Sequence, residues 1–231
     1  LASVSRAHAP TEKSMKTMFT QELWDSFVQK TESNFRLKSY PQFDPYFNFP
    51  KEKGRLHRLL SDPRMVKIKS HDFIPLVKVL QKTPRYRWQE DPHISDQGKY
   101  DLETKIRPIL FTSHFDTYIY GFYAHGLNNL YQAYIRKKGF QEVVLAYRND
   151  IEGKCNIQFA KEAFDQVKNA FLANGKCSVI ALDVKGYFDH IDHTTLKRMW
   201  CKMIGANQLP IDQYKIFRSL TKFSPQYSMA P

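Results

Sequence analysis

The 231-residue chain carries 35 Lys and Arg against 23 Asp and Glu, which gives a formal charge of +12 at pH 7. This balance favours a polyanionic partner, nucleic acid before an anionic membrane surface. No apolar run approaches the roughly 18 residues of a spanning helix and no signal sequence opens the chain, so we expect no membrane partner. The cysteines Cys155, Cys177 and Cys201 are odd in number and form no CxxC pair, which indicates a reducing cytoplasm rather than a disulfide framework or zinc site.

The first predicted segments are a mobile N-terminus over residues 1–15 and a basic, aromatic region over 16–95. The aromatic residues Phe19, Trp24 and Phe27 indicate a short helix, and the prolines that follow indicate irregular chain. Residues 51–69 are rich in Lys and Arg, which fits a solvated helix face and a nucleic-acid contact equally well.

The stretch Lys82–Trp88 alternates cations with aromatic rings. Guanidinium groups can pair with phosphates while rings stack on bases, so we expect this stretch to contact a nucleic-acid template. The predicted contact residues are Lys82, Arg85, Tyr86 and Arg87. The competing interpretation is a loop in which Tyr86 and Trp88 fill the core.

A strand is predicted over Arg107–Thr112, and Lys105 and Arg107 alternate so that both side chains face one side. Protective cations on a sheet edge are the alternative interpretation of that pair. Helical spacing predicts one helix from Tyr118 to about Arg136 and another over 156–173, with glycines ending both. In the second helix we expect an inward face made of Phe159, Ala163, Phe164, Val167, Ala170 and Phe171.

The segment from Ser178 to His193 is the most informative of the chain. Its apolar run, 179–182, predicts a strand buried on both faces, with Asp183 at its exit. A charge in that position favours a metal ligand over a turn-capping carboxylate, because it loses hydration unless a cation compensates it. Gly186 permits a sharp turn that returns Phe188 towards the same place.

The remaining chain predicts two helices. For Asp189 and Asp192, helix capping and first-turn charge explain the carboxylates better than metal binding with His190 and His193. Asp192 therefore caps a helix that ends near residue 204. A further helix runs from Pro210 through about residue 220, and residues 221–231 show no periodicity.

Three segments, in order, resemble conserved elements of reverse transcriptases. The segment from Ser178 to His193 resembles the first catalytic motif of the group II intron, retron and antiphage defence branches. Lys105–Ile109, followed by Phe111–Asp116, resembles the fingers element, and Leu145–Cys155 resembles the element after it. The resemblance covers roughly residues 70–222. It implies an α/β (α+β) right-hand polymerase, with fingers over 96–176, the start of a ferredoxin-like palm over 177–231, and the rest of palm and thumb absent.

The resemblance also implies a function and its residues. The function is RNA-directed DNA polymerisation in bacterial antiviral defence, with two Mg²⁺ ions, or Mn²⁺, held partly by Asp183 and the carbonyl of Val184. Lys105 and Arg107 would bind the triphosphate. Phe188 would pack beneath the sugar and select deoxynucleotides.

Several implications of the resemblance stay open. Arg148 would contact template or triphosphate, or else be a structural arginine paired with Asp150 or Glu152. The implied partners are an RNA template from a dedicated noncoding RNA, a DNA product, deoxynucleoside triphosphates and other copies of the chain. The family completes its metal site with a Tyr-x-Asp-Asp hairpin, and this sequence contains no Asp-Asp pair. The alternatives are template-independent or protein-primed synthesis of the abortive-infection type, and a noncatalytic nucleic-acid-binding scaffold.

Overall fold

The computed structural model describes residues 17–38, 40, 42–88, 100–145, 148, 151, 153–184, 186–222 and 226–227. These residues form helices and a small sheet, so the α+β class is confirmed. Two compact units are present: Leu1–Tyr123 with Pro210–Pro231 (unit 1), and Ala124–Leu209 (unit 2). The predicted mobile terminus 1–15 and the predicted junction at 95/96 lie outside the described residues. No helix of the described segments is long and apolar enough to cross a membrane.

Unit 1 begins with three helices that enclose an aromatic core. The helices are α1 (Gln21–Ser33), α2 (Phe49–Leu60) and α3 (Val66–Ser70). Thr20 begins α1 because its hydroxyl accepts a hydrogen bond from the backbone N–H of Leu23. The ring of Phe27 then packs edge-on against Phe49 and Phe122, at centroid distances of 5.7 and 5.6 Å. The predicted helix with Trp24 and Phe27 as anchors is confirmed, since both are buried.

Two long strands form the main sheet element of unit 1. Strand β1 (Val77–Trp88) pairs antiparallel with β2 (Tyr100–Phe111) along all 12 residues of each strand. We call this pair the ribbon; at about 3.3 Å per residue it is about 40 Å long. The predicted strand at 107–112 is confirmed and begins earlier, at Tyr100. The loop interpretation of Lys82–Trp88 is wrong, because these residues pair with β2 over their whole length.

The remaining helices follow the predicted periodicity closely. They are α4 (Asp116–Lys138), α5 (Asn156–Asn174), α6 (His193–Ile204) and α7 (Ile211–Thr221). Gly139 and Gly175 end α4 and α5 at φ angles of +74° and +69°, which glycine adopts without strain. The two-residue strand β3 (Gln226–Tyr227) pairs parallel with the start of β1, in a segment for which the sequence predicted no structure.

Two burial predictions in unit 2 are wrong. In α5 only Phe159 is buried, whereas Phe164 and Phe171 are 75% and 52% exposed. The apolar run 179–182 forms no strand and is exposed, with Leu182 at 92%. A buried strand needs a neighbour for its backbone hydrogen bonds and a layer over each face. Within the described part of unit 2 no strand lies beside this run, so its apolar side chains remain uncovered.

Candidate nucleic-acid interface

The register of the ribbon sorts its side chains onto two faces. Residues directly opposite in an antiparallel pair point to the same face, and neighbours along a strand point to opposite faces. Odd-numbered residues of β1 and β2 therefore share one face, and even-numbered residues share the other. We call them the basic face and the apolar face. The basic face carries Arg85, Arg87, Asp101, Glu103, Lys105 and Arg107.

The basic face brings together two sets of residues that the sequence predicted separately. Lys105 and Arg107 lie opposite Thr83 and Gln81 of β1, and Arg85 lies opposite Glu103. Successive cations on one strand are two residues apart, or about 6.6 Å. The predicted triphosphate-binding pair and two of the predicted template-binding residues therefore form one surface.

One carboxylate on this face pairs with a cation of its own ribbon through one of its two oxygens. The Nε of Arg87 pairs with Oε2 of Glu103, and both side chains remain largely exposed. An exposed ion pair of this kind contributes little to stability, and salt screens it. Among the ion pairs of the described residues, none joins a carboxylate of this face to Arg85, Lys105 or Arg107.

The other two predicted template-binding residues lie on the apolar face, on the opposite side of the ribbon from the arginines. Lys82 lies opposite Ile106, and Tyr86 lies opposite Leu102. Tyr86 is 75% exposed, so it does not fill the core as the loop interpretation required. An aromatic ring on this face can stack on a base only if the ligand reaches around the ribbon edge.

A largely buried carboxylate holds the end of the ribbon where β2 leaves it. Asp44 accepts hydrogen bonds from the backbone N–H groups of His114 and Phe115, at 2.9 and 3.0 Å, and from Nδ1 of His114 at 2.8 Å. Burial by itself raises the pKa of Asp44, but these hydrogen bonds outweigh it and the pKa lies below its ordinary value. The ring of Tyr40 stacks on Phe111 and on His114.

A second carboxylate, fully buried, holds the approach to β1. Asp116 is 1% exposed and accepts hydrogen bonds from Nε2 of His71 (2.6 Å) and from the backbone N–H of Ile74 (3.0 Å). Its own backbone N–H, at the first residue of α4, donates to the hydroxyl of Ser113. Both strands of the ribbon are therefore fixed at one end, which we call the foot.

A third buried carboxylate joins distant parts of unit 1. The Oδ2 atom of Asp212 in α7 accepts hydrogen bonds from the hydroxyl of Thr17, the backbone N–H of Met18 and the hydroxyl of Tyr123. Burial and the negative charge of Asp212 both raise the pKa of Tyr123, so this phenol stays a donor. The contact ties the N-terminal chain, α4 and α7 together.

The predicted catalytic residues lie in unit 2, in an exposed setting. Asp183 and Val184 are exposed, and Asp183 forms no hydrogen bond or ion pair with the described residues. Gly186 has φ of +65°, so the predicted sharp turn is confirmed. Phe188 begins a three-residue 3₁₀ turn and is 74% exposed, with its ring edge-on to Tyr187 at 5.3 Å.

The histidine–aspartate string after this turn has local structural roles. His190 donates from Nδ1 to the carbonyl of Gly186 at 2.7 Å. Asp192 accepts hydrogen bonds from Thr194 and Thr195 at the start of α6, and these bonds lower its pKa. The predicted capping role of Asp192 is confirmed, while the side chain of Asp189 lies outside the described residues.

Arg148 is half-buried and contacts backbone carbonyls. Its Nη1 donates to the carbonyl of Gln141, and to that of Val144 at 3.1 Å. Asp150 and Glu152, its predicted partners in the structural interpretation, lie outside the described residues. The carbonyl contacts support a structural part for this guanidinium, and its nucleotide contact stays a prediction.

The donor set at Asp183 fits Mg²⁺ in kind, because carboxylate and carbonyl oxygens are the ligands that this ion prefers. It is incomplete in number. Across the described residues no three His, Cys, Asp or Glu side chains come together as metal ligands. Asp183 and Val184 would therefore hold only part of a metal shell.

Sequence reasoning missed the structural aspartates of the foot and core. It identifies Asp116 only as part of a motif, and it does not single out Asp44 or Asp212. Each follows a large apolar residue (Phe43, Phe115 and Ile211), but so does the exposed Asp101, which follows Tyr100. No local signal therefore distinguishes the buried acids. No protein-family model matches the chain, and no curated protein matches it.

Proposed function

We propose that this chain is the fingers and first catalytic segment of a reverse transcriptase, an RNA-directed DNA polymerase. In this proposal the basic face of the ribbon contacts the RNA template and the triphosphate of the incoming nucleotide. The observation that carries the proposal is the register of β1 and β2, which places four cations on one face: the exposed Arg85, Arg87 and Lys105, and the half-buried Arg107. Arginine and lysine that neutralise phosphates release counterions, which is the main source of sequence-independent affinity.

The chemistry would centre on Asp183. With Val184 it offers hard oxygen donors on an accessible segment, and a bound Mg²⁺ would activate the attacking 3′-hydroxyl and neutralise the triphosphate. Further carboxylates are needed, and the resembled family supplies them from a Tyr-x-Asp-Asp hairpin. Phe188, two residues after the Gly186 turn, would then face the sugar of the nucleotide.

The binding part of the proposal is tested by comparing the two faces of the ribbon. The variant Arg85→Ala removes one cation from the basic face, and Lys78→Ala removes one cation from the apolar face that is not among the predicted contacts. We expect the first to reduce the slope of log K against log salt by about 0.7 for single-stranded RNA, the value for one phosphate contact. The second should leave the slope near that of the wild type. Equal slopes for the two variants would contradict the proposed face.

The catalytic part is tested on the chain together with its natural continuation. Supplied with Mg²⁺, an RNA template and deoxynucleotides, this protein should incorporate nucleotides, and Asp183→Ala should abolish incorporation. Incorporation that persists without template would favour the template-independent alternative. Phe188→Ala should relax the exclusion of ribonucleotides, and unchanged exclusion would contradict its predicted place beneath the sugar.

A noncatalytic nucleic-acid-binding scaffold is the second candidate. One observation favours it: within the described residues no cluster of three potential metal ligands forms at Asp183. RNA binding with the salt dependence described above, but without any Asp183-dependent incorporation, would select the scaffold over the polymerase.

A further inference from the structure

The outer edge of β2 has no neighbouring strand in the part of the chain that the structure describes. The order of the sheet is β2-β1-β3, so β1 lies on one side of β2 only. Leu102 and Ile106 of β2 are each 55% exposed. A long exposed edge strand with apolar side chains is a template for pairing with another strand.

The sequence of this edge is complementary to itself. At every second position from Asp101 to Arg107 the order of charges is acidic, acidic, basic, basic. Two copies of β2 aligned antiparallel about Thr104 therefore place each acidic residue opposite a basic one. The opposing pairs are Asp101 with Arg107, Leu102 with Ile106, Glu103 with Lys105, and Thr104 with its own copy.

We propose that β2 pairs with β2 of a second copy of this chain, antiparallel and centred on Thr104, so that two ribbons become one sheet. Charge selects this register. Centring the pairing on Glu103 or on Lys105 would set that residue opposite its own copy, and like charges directly opposite destabilise a sheet. The apolar pairs of Leu102 with Ile106 then fall on the opposite face.

The two prolines of the ribbon indicate which backbone groups of β2 face the free edge. Pro84 lies opposite Thr104, and Pro108 lies opposite Leu80, so both belong to the same class of cross-strand pair. Proline has no N–H, and it costs no ladder bond when its class turns the backbone groups away from the partner strand. On β2 the same class directs outward the backbone groups of Thr104, at the centre of the proposed pairing, and of Pro108. Pro108 would lie opposite Tyr100 of the second copy without an N–H to donate, so the proposed ladder runs over residues 102–106.

Symmetry limits the size of the assembly. A two-fold pairing uses the same edge on both partners, so it closes at a dimer. A strand pairing alone buries less than the roughly 1,000 Å² typical of stable interfaces, so we expect a dimer that forms reversibly with concentration. The inference does not rest on the proposed function, since the dimer needs neither nucleic acid nor metal.

The test uses two charge reversals that repel themselves but complement each other. Lys105→Glu sets Glu103 opposite a second acid, and Glu103→Lys sets Lys105 opposite a second base. Each variant should therefore raise the dimer dissociation constant by about tenfold or more. An equimolar mixture of the two places every acid opposite a base and should restore the dimer. Sedimentation equilibrium without nucleic acid measures all three samples and the wild type.

The mixture separates the proposal from simple misfolding, because a misfolded ribbon would not regain its pairing when mixed. A wild type that stays monomeric at all concentrations would overturn the proposal. So would variants that dimerise as the wild type does, a mixture that stays monomeric, or a wild type that grows into higher oligomers.

A second measurement tests the register. In a background with the exposed Cys155 and Cys177 replaced by Ser, Thr104→Cys should cross-link two copies on mild oxidation. Leu110→Cys should not, because two copies of residue 110 would be about 12 residues, or about 40 Å, apart along the sheet. Thr104→Pro should abolish the cross-strand ladder and the dimer, whereas Thr104→Val should preserve both. Cross-linking at 110 but not at 104 would overturn the register.

Discussion

The carboxylates at the foot of the ribbon and the carboxylate of the segment 176–184 differ in burial and in hydrogen bonding. At the foot, the side chains of Asp44 and Asp116 are largely buried and each accepts hydrogen bonds from backbone and histidine donors. In the segment 176–184, Asp183 is exposed and has no protein partner among the described residues. A carboxylate with several buried donors has a structural role, since removing it leaves those donors unpaired. An exposed carboxylate without donors contributes nothing comparable to the fold, so any strong effect of its loss must arise from function.

The strongest test of this contrast is Asp116→Ala. It leaves the backbone N–H of Ile74 and the ring of His71 without their acceptor, and we expect the free energy of unfolding to fall by about 3 kcal/mol. Urea unfolding followed by circular dichroism measures the change. Asp165→Ala is the control, since Asp165 forms an exposed pair with Lys161 and its loss should be close to neutral. Similar losses in the two variants would remove the structural role of Asp116.

The next largest effect is expected at Asp44, and it depends on pH. Its folded-state pKa lies below the ordinary value of 3.8, so its charge stabilises the fold fully above that value. The contribution is lost as the pH falls through the lower, folded-state pKa. Asp44→Asn should cost about 2 kcal/mol at neutral pH, and its difference from the wild type should shrink as the pH falls below about 4. A difference that stays constant over this range would contradict the assigned charge state.

A smaller effect is expected at the third buried carboxylate. Tyr123→Phe removes one of the donors to Asp212 but leaves those of Thr17 and Met18, so we expect a loss of about 1 kcal/mol in urea unfolding. Tyr118→Phe is the matched control. Tyr118 is similarly buried, but its hydroxyl forms no hydrogen bond in the described structure, so its removal should be close to neutral. An equal or larger loss at Tyr118 would contradict the role assigned to the hydrogen bond of Tyr123.

The smallest effect on stability is expected at the exposed Asp183. Asp183→Ala should change the free energy of unfolding by less than about 0.5 kcal/mol, because its side chain is exposed and contacts no donor among the described residues. The same substitution should abolish nucleotide incorporation if the proposed function is right. A loss of stability as large as that at Asp44 would mean that Asp183 has a structural partner in solution.

Much of unit 2 could be predicted from sequence because its signals are local. The Asp192 cap, α6 and the glycines that end α4 and α5 each depend on residues within about one helical turn. The strand predicted at 179–182 is wrong for a different reason. An apolar run states what a strand would bury but not whether a neighbour is present to pair with it, and none lies alongside within the described part of unit 2.

The ribbon also shows that local sequence patterns do not determine which segments pair. From sequence, a loop is the competing interpretation of Lys82–Trp88, yet these residues pair with β2 as a strand. The hydrogen bonds of Asp44 to His114 join residues 70 positions apart. No local pattern around either residue identifies the other.

The sequence by itself determined α1 and α4–α7, the Asp192 cap, the glycines that end α4 and α5, and the alternation of Lys105 and Arg107, because helical period, strand period and capping act over a few neighbouring residues. It did not determine α2 and α3. Only the tertiary structure decided that four cations share one face of the ribbon. It also decided that Asp44, Asp116 and Asp212 are largely buried, whereas Asp183 is exposed. Strand register and burial depend on contacts between residues distant in the chain, and the energy of a carboxylate depends on whether those contacts supply donors.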